Sequence, residues 1–117
     1  MGRLTTHVLD TAAGVPARGM RVELYSGAGA PGPALAAAIM NSDGRAANPL
    51  LEGGALHAGR YELRFYVAEY YRARGTALPE PPFLDVVVVA FGIADASQHH
   101  HVPLLVSPWS YSTYRGS

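Results

Sequence analysis

"GRYELRFYVAEYYRARG" (59–75) changes its period halfway along. From Gly59 to Val67 the residues alternate, with Tyr61, Leu63 and Phe65 set against Arg60, Glu62, Arg64 and Tyr66. Successive side chains of an extended chain project to opposite faces, so this alternation predicts a β-strand buried on its Tyr-Leu-Phe side. From Ala68 the composition turns to Ala, Glu and Arg and closes on Gly75, a residue suited to a helix C-terminus. A helix of two turns over 68–75 is expected, stopped by the prolines of "LPEPP" (78–82).

Outward from this stretch the pattern is β on both sides. Upstream, "RLTTHVLD" (3–10) is alternating and β-branched, and "MRVELYS" (20–26) sets Met20, Val22 and Leu24 against Arg21, Glu23 and Tyr25. "ALAAAIMN" (34–41) is a weaker strand, and "NSDGR" (41–45) signals a hairpin turn with Asp43-Gly44 at its tip. Downstream, the unbroken valines of "FLDVVVVAFGI" (83–93) predict the most buried strand, one face on the core and the other on a second subunit. "HHHVPLLVS" (99–107) and the residues from Trp109 onward complete seven or eight short strands with one short helix. The fold class is therefore mainly β, and a β-sandwich is favoured over a barrel.

With 117 residues the chain fits one domain, 1–117. Hydrophobic residues make up 49% and charged residues only 15%, which points to a surface partly covered by other copies of the chain. The net charge is zero and all nine basic residues are scattered arginines, so nucleic acid and acidic membrane are poor partners. Without cysteine, thiolate catalysis, disulfides and Cys-ligated metals are excluded. No leader-like or membrane-spanning run is read, and a cytoplasmic location is expected.

Chemistry concentrates in the histidines. On a strand His99 and His101 share one face, about 7 Å apart, while His100 takes the other. His7 shares a face with Thr5 and Leu9, opposite Thr6 and Val8, where no core demands it. The cluster is compatible with a solvated polar face, with a metal site in which His7 adds a third nitrogen, or with acid–base catalysis. Arg45, just past the Asp43-Gly44 turn, could meet a planar anionic or carbonyl-rich ligand in bidentate fashion.

"LTTHVLDTAAGVPA" (4–17), "SDGR" (42–45) and "HVPLLVSPWSYSTYRGS" (101–117) resemble the 5-hydroxyisourate hydrolases, the transthyretin-related proteins, and the likeness runs through nearly the whole chain. The resemblance implies a transthyretin-like β-sandwich, a homotetramer built as a dimer of dimers, and active sites in the channel where dimers face each other. It implies hydrolysis of 5-hydroxyisourate to 2-oxo-4-hydroxy-4-carboxy-5-ureidoimidazoline, with no cofactor and no metal. It places catalytic roles on His7, Arg45 and His99, and substrate contacts on His7, Arg45, His101, Tyr114 and Ser117. His100 stands where the family often has tyrosine, and by alternation it points away from the site. No Gly-x-Ser-x-Gly elbow occurs, so direct attack by water is expected, with His7 or His99 as the base. The alternative is a transthyretin-like binder of a small ligand without catalysis.

Overall fold

The computed structural model describes residues 2–27 and 32–116. Among the described residues nine strands make two sheets, with β1 (Arg3–Asp10), β2 (Val15–Pro16), β8 (His99–Val106) and β9 (Tyr111–Thr113) in one. Its strand order is β2-β1-β8-β9, and the short β5 (Leu51–Glu52) pairs with the start of β1. The other sheet has the order β4-β3-β6-β7, from β3 (Arg21–Ser26), β4 (Ala36–Ile39), β6 (Gly59–Tyr66) and β7 (Val86–Ile93). The helix α1 spans Val67–Ala73.

The alternation read from the sequence is what closes the sandwich. Val22, Leu24, Leu63 and Phe65 of one sheet and Leu4, Val8, Leu104 and Val106 of the other are fully buried. Each such side chain contributes about 1.5–3 kcal/mol by leaving water, so this interior layer is the main stabilising term. On the opposite side of β3 and β6, Arg21 lies over the Tyr66 ring at 3.6 Å and Arg64 over the Tyr25 ring at 3.9 Å. The polar face is thus itself ordered by cation–π contacts.

Three expectations change in detail. The valine-rich strand is an edge strand: Val87, Val89 and Ile93 pack inward, whereas Val86 and Val88 are 38% and 45% exposed within the single chain. Only one of its faces is covered by the chain itself. The turn at Asn41–Gly44 does not return the chain along β4 but carries it across to the other sheet, where Arg45 pairs with His7 of β1. The helix begins one residue earlier than expected, at Val67, and Gly75 beyond it has a φ of +82°, the left-handed conformation that ends helices.

Candidate active site

The site is set by one pairing that joins the two ends of the chain. β1 and β8 run parallel, with Arg3 opposite His99, Thr5 opposite His101 and His7 opposite Pro103. Alternation then does the sorting. Leu4, Thr6 and Val8 face the core, so Thr5 and His7 face outward, and His99 and His101 emerge beside them. His100 turns inward, is buried, and donates from Nε2 to the Asp95 carbonyl at 2.9 Å.

The two outward rings of β8 stand 6.3 Å apart, and the Thr5 hydroxyl lies between them. Its Oγ1 is 2.9 Å from His99 Nε2 and 2.7 Å from His101 Nδ1. His7 is held differently, donating from Nε2 to the backbone carbonyl of Asp43 at 2.8 Å. In the neutral ring this fixes the tautomer, leaving the lone pair on Nδ1.

Arg45 is placed by the turn before it. The Asn41 side-chain oxygen accepts from the backbone N–H groups of Asp43 and Arg45, and Gly44 carries its carbonyl to Val8 N–H at 2.8 Å. Gly44 has a φ of +75°, and a Cβ there would lie 2.4 Å from the Val8 carbonyl oxygen. Glycine is therefore what lets the turn rest on β1 and present Arg45 to the histidines. Among the described residues neither Arg45 nor Arg3 has an ion-pair partner.

A cavity of about 350 Å³ opens here, lined by Arg3, Thr5, Arg45, Asn48, His99 and His101 among others. That volume suits one small polar ligand. His7 does not line it and is joined to it only through its pairing with Arg45. Burial lowers the pKa of all three histidines, and nearby positive charge lowers it further: Arg45 beside His7 and His101, Arg3 beside His99. At neutral pH each ring is therefore uncharged and available as a base. No group of three His, Asp or Glu side chains is spaced to hold a metal ion among the described residues.

The structure brings His7, Arg45, His99 and His101 together, but Tyr114 stands apart. It lies on the far side of His101, 62% exposed, along a second hollow of about 230 Å³ shared with Phe91, His100 and Arg115. Arg115 donates to the Gln98 side chain at 3.2 Å. Ser117 lies outside the described residues. What joins the chain's last described residues to the site is Gly116: its N–H donates to the His101 carbonyl at 2.8 Å, and a Cβ there would fall 2.6 Å from the His101 ring.

Two residues of the site are not evident from the sequence alone. Arg3 and Thr5 are visible only as strand residues, although Thr5 shares the His7 face by simple alternation. Gly116 falls within the Tyr114–Ser117 ending that the resemblance marks, but its need to be glycine comes from a ring fifteen positions upstream.

The HIUase/Transthyretin family model matches residues 4–116. A curated 5-hydroxyisourate hydrolase of Ralstonia nicotianae is 60% identical over the full length of both chains. Among solved structures, Klebsiella pneumoniae 5-hydroxyisourate hydrolase superposes with a TM-score of 0.82 at 32% identity, covering all of both chains. (S)-allantoin synthase superposes with a TM-score of 0.91 at 47% identity over 99% of this chain, which spans only 44% of that protein's length. A two-sheet sandwich with one helix, matched from Leu4 to Gly116, makes this chain a member of the HIUase/Transthyretin family.

Proposed function

We propose that the protein hydrolyses 5-hydroxyisourate to 2-oxo-4-hydroxy-4-carboxy-5-ureidoimidazoline, a step of urate degradation. The observation that carries this reading is a set of uncharged histidines and an unpaired arginine around one small polar cavity, in a chain so similar to a curated hydrolase of that substrate.

Ring opening requires a water oxygen to bond to the ring carbonyl carbon while the C–N bond breaks and the nitrogen gains a proton. His99 lines the cavity and is the base that takes the proton from water. Arg45 orients the ring and stabilises the negative charge that develops on the carbonyl oxygen. His7, tied to the Asp43 carbonyl, holds the Arg45 turn on β1 and keeps its own Nδ1 lone pair for the substrate. His101 supplies a proton on the leaving-nitrogen side, and Tyr114 and Ser117 are assigned substrate contacts in the assembled protein.

The assembly is a homotetramer, a dimer of dimers of single domains spanning 1–117, working in the cytoplasm. Support comes from exposed apolar groups concentrated on edge strands: Val86 and Val88 on β7, and Tyr111 on β9. No helix among the described residues is long and apolar enough to cross a membrane.

The decisive experiment follows the ultraviolet absorbance of freshly generated 5-hydroxyisourate. Faster decay with protein than without it, retained in the presence of a chelator, supports the reading. An unchanged decay rate, with saturable binding of the same compound, would instead identify a non-catalytic binder.

A further inference from the structure

Thr5 makes a connection that none of the catalytic roles above requires. One hydroxyl bridges two imidazoles that come from neighbouring positions of β8, at 2.9 Å from His99 Nε2 and 2.7 Å from His101 Nδ1. A hydroxyl owns a single hydrogen, so it can donate to at most one of the two rings, and its hydrogen stays within the cluster when it donates to one ring while accepting from the other. Two neutral imidazoles joined in this way cannot choose their tautomers independently. When Thr5 donates to His101, His99 carries its proton on Nε2 and offers a lone pair at Nδ1, while His101 offers an N–H at Nε2. When Thr5 donates to His99, the assignments exchange. In either state the nitrogens turned away from Thr5 comprise one base and one acid.

We propose that Thr5 is a positioning residue that couples His99 and His101 into a complementary base–acid pair and passes a proton between them during each turnover. This rests on the hydrolytic reading given above. His99 Nδ1 takes a proton from the attacking water as the oxygen bonds to the ring carbonyl carbon. His99 Nε2–H then passes its proton to Thr5 Oγ1, and the original Thr5 hydrogen moves to His101 Nδ1. His101 Nε2–H delivers its proton to the ring nitrogen as the C–N bond breaks. One proton enters from water and one leaves on the product, Thr5 ends as a hydroxyl, and the pair is left in its exchanged tautomeric state. It is reset for the next turnover when His99 Nδ1 loses a proton to bulk water, His101 Nε2 gains one from it and the relay runs back through Thr5.

The surroundings suit such a relay. Arg3 faces His99, Arg45 and His7 face His101, and no carboxylate is among the groups acting on either ring, so nothing nearby holds either imidazole charged. Thr5 is itself anchored between Leu4 and Thr6, both of which point into the core, so its backbone is fixed and only a χ1 rotation takes the hydroxyl off the line between the rings.

The test compares Thr5→Val, which keeps the shape and removes the hydroxyl, with Thr5→Ser, which keeps the hydroxyl. Thr5→Val is expected to lower kcat about 10²-fold with KM nearly unchanged, the scale of one lost proton-transfer aid. Thr5→Ser should restore most of it. A proton inventory in mixed light and heavy water should show more than one proton in flight in the parent and a simpler dependence in Thr5→Val. Nitrogen-15 NMR of the substrate-free parent should find opposite protonation at His99 Nε2 and His101 Nδ1, and Thr5→Val should abolish that complementarity. Near-normal kcat in folded Thr5→Val, or an equal loss in Thr5→Ser, overturns the proposal. Matching, independent tautomers in the parent also overturn it, and because that spectrum needs no turnover it separates this failure from failure of the hydrolytic reading.

Discussion

The same pair of strands, β1 and β8, carries a polar cluster at each end, and the two are built to opposite purposes. At one end Asp10 is 1% exposed and fully satisfied: it accepts from the hydroxyls of Tyr70 and Tyr71 at 2.8 and 2.7 Å and from the backbone N–H groups of Ala12 and Ala13. Burial would raise its pKa, but these four donors outweigh burial and hold the carboxylate below its usual range. The same burial, reinforced by Asp10, pushes Tyr70 up to about 12 and Tyr71 in the same direction. At the other end His7, His99 and His101 sit half-buried or exposed, each ring with a nitrogen that no group among the described residues occupies. A cluster whose polar atoms are all paired locks the helix onto the sheet. One whose lone pairs remain open is free to act on a ligand.

Substitutions at the two ends should therefore fail in different currencies. His99→Ala is expected to lower kcat by about 10²–10⁴-fold with an unchanged unfolding midpoint, checked by absorbance kinetics beside thermal unfolding. Asp10→Ala strands the buried Tyr70 hydroxyl, leaves Tyr71 only the Val106 carbonyl at 3.0 Å and frees the Ala12 and Ala13 N–H groups. It should cost roughly 2–4 kcal/mol in denaturant unfolding, with the activity per folded molecule preserved. Should Asp10→Ala spare stability or His99→Ala spare turnover, the contrast between the ends collapses.

Gly116→Ala tests how the site is buttressed. The added methyl meets the His101 ring, so the ring must shift, and kcat should fall about tenfold to a hundredfold without loss of the sandwich. A fully active Gly116→Ala protein would show that His101 tolerates displacement.

Acid titration sharpens the contrast with the smallest perturbation. The histidine pKa values are lowered, so kcat/KM should hold below the ordinary value of about 6.5 and decline only as the pH passes the lowered values. The folded-state pKa of Asp10 is depressed, so its stabilisation is complete above about 3.9 and is lost as the pH falls through the folded value. Activity should thus disappear on acidification well before the fold does. Coincident loss of both, followed by rates and circular dichroism across the same buffers, would contradict the assignment.

Much of the architecture was legible because burial acts residue by residue along a strand. The alternation at Arg3–Asp10 and Gly59–Tyr66 reappears as the observed inward and outward faces, and the outward placement of His7, His99 and His101 follows from it. The valine run pointed to the most buried strand, but hydrophobicity alone does not place a strand within its sheet: this one lies at an edge, with one face on the core and the other open in the single chain. The "SDGR" turn was visible, but its destination was not: turn chemistry fixes local backbone shape, and Val8 decides where the chain goes next.

The sequence by itself determined the β character, the single helix, the core-facing residues and the face on which each histidine projects, since those depend on local periodicity. Tertiary structure decided that Thr5 stands between His99 and His101, that Arg45 meets His7, and that Gly116 must lack a side chain. The first of those contacts arises from parallel pairing between strands more than ninety positions apart, whose register is set by how the two inner faces fill the core, and the other two are antiparallel bridges made onto that strand pair. A one-residue slip of that register would leave every residue's local preference intact and dismantle the site.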